Sequence, residues 1–308
     1  MRTVFLLLAV VFATGFIANP TTRERSPQPG AAASQKLLQE TPNLKLISWN
    51  LHDLGRSKSD AEIVLMAQVL RGYDVIAIQE VVAKDPAGAR AVARLDAALD
   101  LTGAEYDYRV SDPTRSSSSQ IRERYAFLWR TDKVSLVGRP KLLSAYAKTI
   151  EREPYVAKFD WGGKEFRVVN FHARPYDQQP EEEFAKFRDL PEEFDDVPLF
   201  LVGDLNLVSK HTVFNPWLDR GYVLAVKNQK TSLRRKQPCP AEDCYSREND
   251  NILVPAHQVQ LLEGGTLDVL AYLRGDLAAT RALSDHVPVY AIFDDFPQLD
   301  IRMQQRGK

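Results

Sequence analysis

The feature that most constrains this chain is a series of short apolar runs, each bounded by an acid, an amide or a histidine. Leu44 to Trp49 ends at Asn50, Asp74 to Gln79 ends at Glu80, Glu165 to Phe171 ends at His172, and Leu199 to Val202 leads into Gly203-Asp204-Leu205-Asn206. Asp250 stands before a run from Asn251 to Val254, and Ser284-Asp285-His286 stands before Val287 to Phe293. Runs this short and this rich in β-branched and aromatic residues read as buried strands. Asn50, Glu80, His172, Asp204, Asn206, Asp250, Asp285 and His286 therefore all fall at strand ends. One polar residue in such a place is ordinarily a turn former. So many in one chain point to a shared site, because strand ends are where α/β sheets assemble their chemistry.

Helical patterns separate some of these strands. Ile63, Val64, Met66, Ala67 and Leu70 recur at helical spacing, Ala87 to Leu101 is Ala-rich and helical, and Glu181 to Phe194 reads as a charged helix. Another helical piece is expected from His211 to Leu218. Tyr125 to Trp129 with Val134 to Val137, and Tyr155 to Phe159 with Glu165 to Phe171, read as two hairpins. No internal repeat of fixed period is visible.

At 308 residues the chain can build a large single α/β core. Its net charge of −1 excludes a global positive field, so any site for a polyanion must be local. Arg2 followed by the apolar stretch Val4 to Phe12, with small residues to Ala18, has the form of a secretory signal over residues 1–18. Residues 19–42, with Pro20, Pro27, Pro29 and Gly30, read as a linker, residues 43–295 as the catalytic domain, and residues 296–308 as a polar tail. Export to the periplasm or the medium is expected, without stable membrane insertion of the mature chain. Cys239 and Cys244 are the only cysteines, and in an oxidising compartment a local disulfide is expected, with two free thiols as the alternative. Two histidines, several carboxylates and almost no cysteine suit an oxygen-ligated Mg²⁺ or Ca²⁺ better than zinc.

Taken in order, Ser48-Trp49-Asn50, Ile78-Gln79-Glu80, Asn170-Phe171-His172, Gly203-Asp204-Leu205-Asn206, Asp250-Asn251-Ile252 and Ser284-Asp285-His286 resemble the endonuclease/exonuclease/phosphatase superfamily. Arg122-Glu123-Arg124-Tyr125-Ala126-Phe127-Leu128 and Arg152-Glu153-Pro154-Tyr155 are similar to segments of its secreted deoxyribonuclease I branch. The resemblance runs from about Leu44 to Phe293. It implies an α/β fold, a four-layer sandwich of two packed mixed sheets flanked by helices. It also implies a monomeric, metal-dependent phosphodiesterase acting on DNA with low sequence specificity, leaving 5′-phosphate and 3′-hydroxyl ends.

The same resemblance implies roles. Glu80, Asn50, Asp204 and Asp285 would hold Mg²⁺, with Ca²⁺ as a further ion or Mn²⁺ in substitution. His172 held by Glu123 and His286 held by Asp250 would be the acid/base pairs, and Arg152 with Asn206 would bind the phosphate. The alternative is a phosphodiesterase or phosphatase of the same superfamily acting on a phospholipid headgroup, as in sphingomyelinases, or on another phosphoester. Three positions depart from the deoxyribonuclease I pattern: His52 and Val82 replace arginines, and Ile121 replaces a tyrosine.

Outside the motifs, His52, His211 and His257 read as surface or packing residues, and the four tryptophans as packing residues. Ser116 to Ser119 reads as a flexible loop. The basic stretch Lys227, Lys230, Arg234, Arg235 and Lys236 reads equally as a phosphate contact or a solvated loop.

Overall fold

The computed structural model describes residues 43–294, apart from 117, 119, 236–238 and 240–242. The expected signal, linker and polar tail lie outside the described residues. Among the described residues, no helix is long and apolar enough to cross a membrane.

Twelve strands form two six-stranded mixed sheets. The first contains β1 (Leu44–Leu54), β2 (Val75–Val82), β3 (Tyr106–Val110), β4 (Glu123–Arg130), β11 (Leu261–Thr266) and β12 (Val289–Phe293). The second contains β5 (Val134–Leu142), β6 (Tyr155–Trp161), β7 (Lys164–His172), β8 (Leu199–Asp204), β9 (Tyr222–Leu224) and β10 (Asp250–Pro255). Their orders are β11-β12-β1-β2-β4-β3 and β5-β6-β7-β8-β10-β9.

Apolar residues occupy both faces of the central strands, which is why those strands read as unbroken apolar runs. Tyr125, Phe127 and Trp129 of β4 join Phe159, Phe166 and Phe200 in a core between the sheets, while Ala126 and Leu128 turn outward. The outer face of the first sheet packs on α1 (Asp60–Leu70), α2 (Ala87–Asp100), α6 (Val269–Tyr272) and α7 (Leu277–Leu283). Phe184, Leu190 and Trp217, from α3 (Pro180–Phe184), α4 (Leu190–Glu193) and α5 (Asn215–Leu218), cover the outer face of the second sheet. The result is the expected α/β sandwich of four layers. A capping box starts α1: Ser59 accepts from the Glu62 amide, and the Glu62 side chain accepts from the Ser59 amide.

Each sheet is built around one parallel pair, β1 with β2 and β7 with β8, flanked by antiparallel neighbours. In such an arrangement the C-terminal ends of the parallel strands and the N-terminal starts of their antiparallel neighbours share one edge. Asn50, Glu80, His172 and Asp204 stand at the former, and Glu123, Asp250 and His286 at or just before the latter.

Three expectations need correction. β4 and β5 are consecutive but not a hairpin: β4 pairs with β2 and β3, β5 with β6, and residues 131–133 carry the chain between sheets. The helix expected over Glu181 to Phe194 is broken into α3, a 3₁₀ turn at Ala185–Phe187 and α4, which has Pro191 in its first turn. Ser116 is buried rather than loose, and its carbonyl accepts from Arg122 Nε at 3.2 Å, while residues 117 and 119 of that run lie outside the described ones. The edge strands β3 and β11 escape sequence reading because their polarity is mixed, and the edge strand β9 because it is only three residues long. The hairpin of β6 and β7 forms as expected, turning at Gly162 and Gly163.

Candidate active site

Strand register assembles the centre. His172 lies opposite Asp204 in the parallel β7/β8 pair, and Asp204 lies opposite Asp250 in the antiparallel β8/β10 pair. Gly203 permits this approach, since its φ of 138° suits glycine and a Cβ there would stand 1.8 Å from the Phe171 carbonyl oxygen. Asn50 joins the two sheets, donating from Nδ2 to Glu80 Oε1 at 2.8 Å and to Asp204 Oδ2 at 3.1 Å.

Two histidine-carboxylate pairs flank Asp204. His172 Nδ1 is 2.8 Å from Glu123 Oε2, and His286 Nδ1 is 2.7 Å from Asp250 Oδ2. Each pair takes one residue from each sheet. The two Nε2 atoms face a single oxygen, Asp204 Oδ2, at 3.5 and 3.7 Å. Arg152, also buried, brings Nη2 to 3.3 Å from His172 Nε2 and donates to the Ala173 carbonyl at 3.1 Å. Asn206 adopts a left-handed φ of 51°, its amide donating to Asp204 Oδ1 at 3.1 Å and its Nδ2 to the Ala173 carbonyl at 3.4 Å. Glu80 also has a positive φ, at a break in β2 pairing, so backbone strain is concentrated where side chains must converge.

The electrostatics follow from this crowding. Burial and Arg152 work against a proton on His172, but Glu123 and Asp204 outweigh them and raise its pKa above the ordinary imidazole value. Burial opposes the charge on His286 as well, and Asp250 and Asp204 overcome it, so its pKa is raised further. Asp250 is itself pushed up by burial and by Asp204 despite His286, so this pair retains its shared proton to higher pH than a free imidazole. Burial would raise Glu80, yet hydrogen bonds from His52 and Asn50, together with the charges of His172 and His286, hold it well below the usual carboxylate range.

The four residues expected to hold a metal fall in two connected groups. Asp204 belongs with Asp250 and His286, whose potential ligand atoms all lie within 4.8 Å of one another. Glu80 and Asp285 belong with His52, whose Nδ1 is 3.2 Å from Glu80 Oε2 and 3.6 Å from Asp285 Oδ1. Asn50 bridges the groups through its contacts with Glu80 and Asp204. This set of three carboxylates and one amide offers oxygen ligands suited to a hard divalent cation. His52 was expected to be a bystander and is instead part of the site, brought back over Glu80 by positive φ values at His52 and Asp53. Its position two residues after Asn50 was the available signal.

Other residues, most of them within the same motifs but given no role there, hold the centre. Gln79 Nε2 donates across the sandwich to Asn170 Oδ1 at 2.6 Å, and Tyr125 Oη accepts from the His172 amide at 3.2 Å. Trp49, expected only to pack, also donates its indole N–H to the His286 carbonyl at 2.9 Å. Thr231 Oγ1 accepts from the Asn249 and Asp250 amides, and the Thr231 carbonyl from the Val287 amide, so this loop supports both halves of the His286/Asp250 pair. In the neighbouring basic stretch, Lys230 pairs with Asp243, and Arg234 donates to the Asp243 carbonyl. Lys236 lies outside the described residues. Cys239 and Cys244 form a disulfide.

A model of the Endonuclease/Exonuclease/phosphatase family matches residues 47–286, the whole span from β1 to the second histidine. The chain belongs to this family. Within it the chain is 30% identical over 278 residues to a deoxyribonuclease of Thioalkalivibrio sp., covering 82% of this chain and 71% of that one. It is 28% identical over 192 residues to deoxyribonuclease-1 of Equus caballus, covering 59% of this chain and 67% of that protein. Among solved structures, a family protein from Leptotrichia buccalis superposes with a TM-score of 0.60 at 15% identity, covering 82% of this chain and all (100%) of that one. The protein is a hydrolase of phosphodiester bonds.

Proposed function

We propose that the protein is an exported, divalent-metal-dependent endonuclease that hydrolyses DNA with little sequence preference, leaving 5′-phosphate and 3′-hydroxyl ends. The observation that carries this reading is the convergence of two histidine-carboxylate pairs on Asp204. An in-line displacement at phosphorus needs one group to take a proton from water and another to give one to the leaving oxygen. Glu123 and Asp250 each fix one ring nitrogen of their histidine, leaving both Nε2 atoms directed at the same place. Arg152 and Asn206 stand beside it with donors for phosphate oxygens.

Asn50, Glu80, Asp204 and Asp285 would hold the metal. When bound, it supplies Lewis-acid stabilisation of the charge that develops on the phosphoryl group. DNA is favoured as substrate by the deoxyribonucleases among the relatives. Export is supported by the Cys239–Cys244 disulfide, a bond that persists in oxidising compartments, and by the form of the N-terminal sequence.

The test is incubation of the purified protein with supercoiled plasmid, RNA and sphingomyelin, with Mg²⁺ or Ca²⁺ or with chelator. Plasmid is expected to be nicked, chelator to abolish nicking, and His172→Ala or His286→Ala to lower turnover by about a hundredfold or more. A folded His286→Ala protein with near-native nicking, or sphingomyelin hydrolysis without nicking, would overturn the proposal.

A further inference from the structure

Two clefts on the same side of the centre meet at one arginine. The first, of about 820 Å³, includes Glu80, Glu123, Arg152 and His172 at its catalytic end and continues past Arg122 and Lys148 to Arg115. The second, of about 840 Å³, begins at Arg115 and is walled by Arg109, Arg139, Lys141 and Tyr155. Arg115 lines both.

Its backbone is fixed there. The Arg115 amide donates to both carboxylate oxygens of Glu153, at 3.1 and 2.9 Å, and Glu153 is buried immediately after Arg152. The preceding Thr114 amide donates to the Glu123 carbonyl at 2.9 Å. The loop bearing Arg115 is therefore tied to two segments of the catalytic centre.

The charge is unevenly compensated. Arg109 is paired with Asp107. Among the described residues, Arg115, Arg139 and Lys141 have no carboxylate within 4.0 Å of their charged groups, and their side chains are exposed. Charges on β5, an edge strand, also discourage strand addition, which is a sufficient reason for Lys141 by itself. It does not account for their lining a concave path that continues to the catalytic histidine. The catalytic end of the path is mixed in sign, with Asp53, Glu80, Glu123 and Glu151 among its lining, whereas in the second cleft Arg109, Arg115, Arg139 and Lys141 outnumber Asp112 and the buried Glu153, so in a chain of net charge −1 that far end is a locally positive surface suited to a polyanion.

We propose that this path is an extended nucleic-acid track: the polynucleotide backbone leaves the catalytic centre through the first cleft, crosses Arg115 and enters the second, where Arg139 and Lys141 contact two further phosphates. The inference rests on the nuclease reading above and adds substrate length to it. A chain of several nucleotides reaches the second cleft, and a short oligonucleotide held at the centre does not.

The experiment compares hydrolysis of a hexanucleotide and of plasmid-length DNA by the native protein and by the double variant Arg139→Glu/Lys141→Glu, across a series of salt concentrations. The native protein is expected to show an apparent KM about tenfold lower, per cleavable bond, for the long substrate, and the double variant to lose most of that difference. On long DNA, the slope of log kcat/KM against log salt should become shallower by about 1 to 2, as expected when two phosphate contacts are lost. Lys141→Ala alone should produce roughly half of that change. The kcat on the hexanucleotide reports that each variant is folded. Unchanged length preference and unchanged salt slope in folded variants would overturn the track. Failure of the native protein to cut either DNA would instead overturn the nuclease reading, and the track with it.

Discussion

At the scale of single residues, function depends on who shares a proton with whom. Asp250 was legible as an acid at a strand end and Glu123 only through the family resemblance, and the structure gives each a single histidine partner. Replacing either by its amide keeps the shape and removes the charge that orients and protonates the ring, so Glu123→Gln and Asp250→Asn should each lower plasmid nicking by about a hundredfold with little change in melting temperature. Asp96 shows the same physics away from the site. It lies in α2 near Asp100 and Asp107, and burial followed by those two charges pushes its pKa up from 3.8 to about 6. The folded state therefore binds this proton more tightly than the unfolded chain, and its contribution to stability falls as pH rises through that interval. Asp96→Asn should stabilise the protein above pH 6 by about 1 kcal/mol after allowance for solvent screening, roughly 2–4 °C in Tm, and the gain should vanish near pH 4. Melting curves at both pH values check it.

At the scale of elements, the sequence was most readable where one element carries its own reason. The Ser59/Glu62 box and the helical spacing of Ile63, Met66 and Leu70 give α1, and the Gly162-Gly163 turn gives the β6/β7 hairpin. It was least readable where partners are distant. Nothing between Arg130 and Val134 states that β4 and β5 belong to different sheets; the packing of Phe127 against Tyr155 and Phe159 across the sandwich does. His52 was misread for a similar reason, because only the bend of β1 after Asn50 brings it to Glu80. The approach of β7 and β8 offers a test at this scale. Gly203→Ala must add a methyl group 1.8 Å from the Phe171 oxygen, and should cost about 3 kcal/mol or more in chemical denaturation. Gly162→Ala, with a φ of 61° and open space around the added group, should cost only about 1–2 kcal/mol, the price of the left-handed backbone alone.

At the scale of the whole molecule, two sheets with the same plan, a parallel pair between antiparallel neighbours, pack face to face so that their strand ends converge over Asp204, and each histidine is completed by a carboxylate from the other sheet. The carboxylates gathered there repel one another unless a cation joins them. A saturating divalent ion, at about a hundredfold over its Kd, should therefore raise stability by about 2.7 kcal/mol. Thermal melts with and without chelator read this independently of turnover, and Glu80→Gln should diminish the response. The sequence by itself determined the strand-rich α/β class and most of the site's carboxylates and histidines, because apolar runs and their polar ends are local patterns, while Glu123 and Arg152 came with the family resemblance. Only the tertiary structure decided which acid serves which histidine, that His52 joins Glu80 and Asp285, and that one arginine links two clefts. Those relations depend on register and on the packing of one sheet over another, and residues far apart along the chain carry no local mark of either.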